Sequence, residues 1–135
     1  MTVRYLLDTN ICIYIAKYNP PAVRERFSRH TADEMVMSVV TLGELRFGAE
    51  KSQSRERALA VIARLEAAMK IAPLTEVAGE HYGQIRASLQ ERGEMIGNND
   101  LWLAAHAKAE GWILVTNNER EFARVEGLQV ENWAA

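Results

Sequence analysis

Residues 3–10 read VRYLLDTN, a short apolar run that gives way to polar residues. Its first five residues are mostly apolar or β-branched, which predicts a short buried strand. The run ends at residues 8–10 (DTN), which are of the types that favour turns and helix starts. Apolar residues then recur over 11–18 at helical spacing, until the NPP of 19–21, where proline disfavours helical geometry in the residue before it. The stretch therefore predicts a strand followed directly by a helix.

The same arrangement recurs further along the chain. The apolar run MVMSVV at 35–40 predicts a second strand, and residues 41–44 (TLGE) have the form of a capping box at the start of a helix. The run WILVTN at 112–117 predicts another strand, after an apolar helix that Asp100 opens and Gly111 ends. Further helices are expected near 21–30, 54–70, 76–92 and 118–124, short strands near 71–74 and 128–131, and a polar loop over 94–99.

Alternating strands and helices in 135 residues predict an α/β protein with a mainly parallel sheet covered by helices on both faces. A chain of this length is expected to form one domain spanning 1–135. The single cysteine and the absence of a leader-like N-terminus favour the cytoplasm, and charged residues interrupt every apolar run, so no membrane span is expected. The net charge of -2 argues against nucleic-acid binding by bulk charge alone.

Three acids lie where strands end or helices begin: Asp8, Glu44 and Asp100. In an open parallel sheet, ligands bind beyond the carboxyl ends of the strands, so these acids are expected to converge there. Carboxylates held together need a cation, and ligand sets made only of oxygen favour Mg²⁺ or Mn²⁺. Such ions orient water and neutralise charge on a phosphodiester, which is nuclease chemistry.

A purely structural interpretation of the same acids stays open. Glu44 would complete the capping box with Thr41, Asp100 would start its helix, and Glu121 follows a candidate cap at Asn118. A non-catalytic binding module is then an alternative. A phosphoryl-transfer enzyme of the aspartate-phosphatase type is another, although Asn10 stands where such enzymes typically have a second Asp.

Four ordered motifs resemble the PIN-domain family, in particular VapC-type toxins of toxin–antitoxin pairs. They are LLDTN (6–10), SVVTLGEL (38–45), IGNNDLWLAAHA (96–107) and LVTNNEREF (114–122), and the similarity continues into the ending GLQVENW. The resemblance implies a three-layer α/β/α sandwich with about five strands. It also implies a Mg²⁺- or Mn²⁺-dependent endoribonuclease that hydrolyses RNA, for example a tRNA.

The resemblance also assigns roles to residues. Asp8, Glu44 and Asp100 match the family's acidic triad, with Asp8 and Asp100 as metal ligands. Many PIN domains have Asp where this chain has Asn118, so we expect Glu121 to supply the fourth carboxylate. Supporting roles around the acids and the metal are expected for Thr9, Asn10, Ser38, Thr116, Asn117 and Asn118.

The resemblance implies partners as well. In the family, a small VapB-type antitoxin neutralises the toxin, often bound to a toxin homodimer, so both a homodimer and a hetero-oligomer are expected. The apolar stripes over 11–18 and 54–70 exceed what one core needs and offer surface for a partner. The scattered histidines, His106 among them, are expected to be structural. The RNA target and the antitoxin are not identified by these patterns.

Overall fold

The computed structural model describes residues 2–135. Its strands are β1 (Tyr5–Leu7), β2 (Met35–Ser38), β3 (Lys70–Ala72), β4 (Ile113–Val115) and β5 (Val130–Glu131). Its α-helices are α1 (Thr9–Lys17), α2 (Pro21–Ser28), α3 (Val39–Glu50), α4 (Arg55–Ala68), α5 (Glu76–Arg92), α6 (Asn98–Glu110) and α7 (Glu119–Phe122), and a 3₁₀ turn covers Ala32–Glu34. The predicted alternation of strands and helices is confirmed.

The five strands form one parallel sheet in the order β3-β2-β1-β4-β5. The central strand β1 pairs with β2 through Leu7 and Met37 and with β4 through Leu7 and Val115. The chain first builds the sheet outward on one side of β1 and then crosses to the other side, so the connections diverge between β1 and β4. A crevice beyond the carboxyl ends of these two strands is where this topology places ligands.

Alternate residues of the strands face two different helical layers. Leu6 is fully buried in a cluster with residues of α5 and α6, while Tyr5 and Leu7 belong to a second cluster with residues of α1, α2 and α4. Because successive side chains of a strand point to opposite faces, the sheet lies between these two apolar layers. The predicted α/β/α sandwich is confirmed.

The predicted capping box at residues 41–44 is wrong. α3 begins at Val39, and its N-cap is Ser38, whose Oγ accepts a hydrogen bond from the Val40 backbone N–H at 3.1 Å. Serine is a good N-cap, so the helix starts as soon as β2 ends. Thr41 is therefore buried within the helix, and Glu44 lies in the second turn rather than the first.

Helix α6 also begins earlier than expected, at Asn98. Asp100 is its third residue and does not open it, and residues 98–99 belong to the helix and not to the preceding loop. The N-cap is Gly97, which makes no side-chain cap. Gly111 ends the helix as predicted, with a φ of 73° that glycine adopts without strain.

Within residues 2–135, none of the helices combines the length and the apolar character that crossing a bilayer would require.

Candidate functional site

Asp8 stands where β1 ends, beside the neighbouring strand β4. Its backbone N–H donates to the Val115 carbonyl at 3.0 Å, which continues the pairing of the two strands. Its side chain is the N-cap of α1, because Oδ1 accepts from the Ile11 N–H at 2.9 Å. The residue is only 5% exposed. Asp8 is thus both a helix cap and a buried carboxylate at the crevice between β1 and β4.

The surroundings of Asp8 raise its pKa. Burial is the largest cause, because it penalises the charged form. Hydrogen bonds from the Thr116 side chain and from the backbone N–H groups of Ile11 and Asn10 lower the pKa, while the nearby negative charge of Glu44 raises it. The influence of Glu44 places two of the predicted acids in the same site.

Glu44 reaches this site from α3 and is held there by hydroxyl groups. The Thr9 hydroxyl donates to Glu44 Oε1 at 2.6 Å and lies 3.1 Å from the hydroxyl of Thr41. Thr9 is the first residue of α1, directly after Asp8, so one strand end positions both carboxylates. Thr9 therefore holds the Glu44 carboxylate in place, and Glu44 is not a helix cap.

Asp100 has a pKa raised from 3.8 to about 7. Burial is the main cause, followed by a hydrogen bond with Glu121 and by the negative charges of Glu121, Asp8 and Glu44. Two carboxyl groups can share a hydrogen bond only when one of them carries a proton, and a proton on Asp100 meets that need. The three other predicted acids therefore all act on Asp100, at the carboxyl edge of the sheet.

Glu121 comes from the short helix α7 and is oriented by Asn118. The Asn118 side-chain amide donates to Glu121 Oε2, and the Asn118 backbone N–H donates to Thr116 Oγ1 at 2.9 Å. Asn118 makes no side-chain cap on α7. The neutral amide at position 118 thus fixes a carboxylate one turn later on the same segment.

The six predicted supporting residues divide into two groups. Thr9, Thr116 and Asn118 contact the acids through their side chains, and Asn10 does so through its backbone N–H. The described hydrogen bonds of the other two lead elsewhere. Asn117 bonds Tyr14 and Asn132, and Ser38 bonds Val40 and His106.

Two parts of this arrangement were missed at the level of sequence. Thr41 was interpreted as a cap, whereas its hydroxyl meets that of Thr9. A structural role was expected for His106, but not its hydrogen bond, in which Nδ1 lies 2.9 Å from Ser38 Oγ. The sequence did contain a signal for the role of Thr41, because residues three apart, such as Thr41 and Glu44, lie on the same face of a helix.

The donor set fits a hard divalent cation. Among residues 2–135, no three Asp, Glu, His or Cys side chains are already arranged as a ready-made metal site. The four acids nevertheless offer only oxygen ligands, which Mg²⁺ and Mn²⁺ prefer. The main influences on the pKa of Asp8 and of Asp100 include no positively charged side chain. The repulsion in this cluster is relieved by a proton on Asp100, a role that a bound cation can take over.

Comparison with known proteins agrees with this geometry. The PIN domain model matches residues 5–128. The tRNA(fMet)-specific endonuclease VapC of Shigella flexneri is 47% identical over 98% of this chain and 99% of its own length. Ribonuclease VapC2 of Haemophilus influenzae is 45% identical over 97% of this chain and 98% of its own length.

A solved structure extends the similarity to three dimensions. One chain of the DNA-bound VapBC complex from Salmonella typhimurium superposes with a TM-score of 0.92 at 42% identity, covering 98% of this chain and 99% of that one. A relative this similar over nearly its whole length shares the family as well as the fold. This chain therefore belongs to the PIN-domain family and, within it, to the VapC group.

Proposed function

We propose that this protein is a Mg²⁺- or Mn²⁺-dependent endoribonuclease and the toxin of a toxin–antitoxin pair. The observation that carries the proposal is that Glu44 raises the pKa of Asp8 and that Glu121, Asp8 and Glu44 all raise the pKa of Asp100, in the crevice between β1 and β4. No positively charged side chain is among the main causes of either shift. Its VapC relatives are named as ribonucleases, which supports RNA as the substrate class. The aspartate-phosphatase alternative loses its support, because the chain belongs to a different family.

In this proposal Asp8 and Asp100 hold the cation, and Glu44 and Glu121 are the other two acids around it. A bound Mg²⁺ or Mn²⁺ would supply a Lewis acid for the scissile phosphate and would lower the pKa of a water molecule. The chain's own residues orient the acids. Backbone N–H groups and Thr116 fix Asp8, Thr9 fixes Glu44, and Asn118 fixes Glu121.

Asp100 also gives the site a group that titrates near neutral pH. With a pKa of about 7, its carboxyl can hold or release a proton on the side that faces Glu121. A coordinating carboxylate must be deprotonated, so a cation held by Asp8 and Asp100 would displace this proton.

The proposed substrate is an initiator tRNA, because the Shigella flexneri relative is named for tRNA(fMet). We expect purified protein with Mg²⁺ or Mn²⁺ to cut tRNA(fMet) at one position, at least about 10-fold faster than elongator tRNA(Met), since placing one bond at the reacting groups depends on the shape of the bound RNA. The two transcripts would be compared by end-labelling and mapping of cut sites. Equal rates on both transcripts would contradict the proposed specificity. If no cellular RNA were cleaved, the proposed ribonuclease activity would be wrong.

An antitoxin partner is proposed for the groove between α1, α3 and α4. This groove has a volume of about 550 Å³. Thr9 and Glu44 line part of it, and most of its other lining side chains are apolar. These include Ile13, Ala16, Leu45, Val61, Ile62 and Leu65. Two of the three helices that form the groove, α1 and α4, carry the apolar stripes that were expected to exceed the needs of the core. The complex of the Salmonella typhimurium relative with VapB supports a VapB-type protein as the occupant.

A charge in this groove is expected to release the toxin from inhibition. Val61→Asp should weaken inhibition by the antitoxin encoded beside this chain at least about 100-fold, because an unpaired carboxylate would be buried in the complex. Inhibition would be titrated against each variant's own uninhibited rate of RNA cleavage. Ala63→Asp, on the exposed side of the same helix, is the matched control and should be inhibited like the wild type. Equal inhibition of both variants would place the antitoxin elsewhere.

The homodimer stays a prediction. α3 carries two exposed apolar side chains, Val39 (40%) and Phe47 (65%), beside the half-buried Trp102 of α6. Exposed apolar side chains that lie together are the kind of surface that a second chain covers.

A further inference from the structure

His106 is a fully buried histidine in the middle of α6, outside the acidic cluster. Its ring lies against Trp112, with ring centroids 5.4 Å apart. Its Nδ1 is 2.9 Å from Oγ of Ser38, which is also fully buried. Buried polar groups are rarely found without a partner, and here two of them satisfy each other across two elements of the fold.

The hydrogen bonds of Ser38 are compatible with either tautomer of His106. Ser38 Oγ accepts from the Val40 N–H, and its hydroxyl still has a proton to donate and a second lone pair, so it can pair with Nδ1 in either role. Among residues 2–135, the other ring nitrogen, Nε2, has no partner with hydrogen-bond geometry. The pKa of His106 is lowered, mainly by burial and against the opposing effects of Glu110 and Pro73, which favours a neutral ring.

This hydrogen bond joins the start of α3 to α6, the two helices that carry Glu44 and Asp100. Ser38 caps α3, which carries Glu44, and His106 belongs to α6, which carries Asp100. Each acid lies six residues from the bonded residue of its own helix, or about 9 Å along the axis. A helix transmits the position of one turn to the next, so the bond sets where α3 and α6 present their carboxylates.

We propose that His106 is a positioning residue, which holds the start of α3 against α6 through Ser38 and so sets the spacing of Glu44 and Asp100. The proposal rests on the proposed ribonuclease function of these acids. His106 itself contacts neither the substrate nor the cation. Its effect should therefore appear in the turnover number and in the response to the metal, and not in RNA affinity.

The test compares His106→Leu, which removes the hydrogen bond, with His106→Asn, whose amide can replace Nδ1. We expect His106→Leu to lower kcat for RNA cleavage roughly 10-fold with KM almost unchanged, as for residues that orient metal ligands. The Mn²⁺ concentration that gives half of the maximal thermal stabilisation should rise several-fold. His106→Asn should restore most of both values. Ser38→Ala should cost less in the His106→Leu background than in the wild type, because one of the two hydrogen bonds that it removes is already absent there.

Leu103→Val is the matched control, since it perturbs the buried face of the same helix without touching the hydrogen bond. If this variant and His106→Leu shift kcat and the Mn²⁺ response equally, or if the effects of Ser38→Ala and His106→Leu simply add, the positioning role is wrong. If the wild type cleaves no RNA, the proposed function fails, while the Mn²⁺ response still decides the role of His106. Should His106→Leu not fold, Ser38→Gly removes the same bond and carries the same expectations, because glycine at an N-cap costs little.

Discussion

Replacing Asp8 by asparagine should lower kcat/KM for RNA cleavage at least about 100-fold while leaving the fold intact, since even residues that only support metal ligands cost 10- to 100-fold. Asparagine has nearly the same shape, and its Oδ1 can still accept the hydrogen bond from the Ile11 N–H that caps α1. The variant lacks the negative charge that the proposed cation requires. It also escapes the cost of burying a charge near Glu44, so its thermal midpoint should equal or exceed that of the wild type.

The matched control for this substitution is Asp33→Asn. Asp33 is exposed in the 3₁₀ turn before β2, away from the acidic cluster, so the same chemical change there should leave kcat/KM within about 2-fold of the wild type. Both variants would be assayed on the same RNA at several Mn²⁺ concentrations. If Asp8→Asn cleaves as fast as Asp33→Asn, the acids are helix caps and the binding-module interpretation is favoured.

The metal-free protein should lose stability as the pH rises from about 4 to about 7. The pKa of Asp100 is about 7 in the folded chain and near 3.8 when it is unperturbed, so the folded state binds more protons than the unfolded state in this interval. The free energy of unfolding therefore decreases as the pH rises through this interval. The loss is complete once the pH exceeds the pKa that Asp100 has in the folded state. Asp8, whose pKa is also raised, contributes in the same direction.

This loss is best measured as the difference between the wild type and Asp100→Asn in a chelating buffer. Asp100 is partly exposed, so solvent screening reduces the effect of its shift, and we expect roughly 1–2 kcal/mol less stability at pH 8 than at pH 5 in this difference. Denaturant unfolding at a series of pH values gives the required curve. A difference that stays flat from pH 5 to pH 8 would show that Asp100 is not forced to hold a proton by its neighbours.

The layers of the fold could be predicted because each rests on local patterns. Runs such as MVMS are buried on both sides, the proline pair at 20–21 starts α2, and the glycines at 93 and 111 end helices by backbone geometry. The start of α3 could not be predicted in the same way. Ser38 and Thr41 are both good cap residues, and only the point where β2 stops pairing with its neighbours decides between them.

The acids illustrate a different limit. Asp8 is a cap and a site residue at once, so local sequence could not decide between the two interpretations. Only the strand order brings it next to residues that lie far along the chain, such as Asp100 and Glu121. The contact between Asn118 and Glu121 was within reach of sequence, because they are three residues apart. The pairing of His106 with Ser38 spans 68 positions, and no short-range pattern encodes it.

If these carboxylates form one cation-binding centre, the thermal midpoint at pH 8 should depend on the Mn²⁺ concentration. A ligand at about 100 times its Kd stabilises the state that binds it by about 2.7 kcal/mol. Saturating Mn²⁺ should therefore raise the midpoint of the wild type and of Asp33→Asn by several degrees, and that of Asp8→Asn by much less. An equal rise in all three proteins, or no rise in any of them, would show that the acids do not form a cation-binding centre.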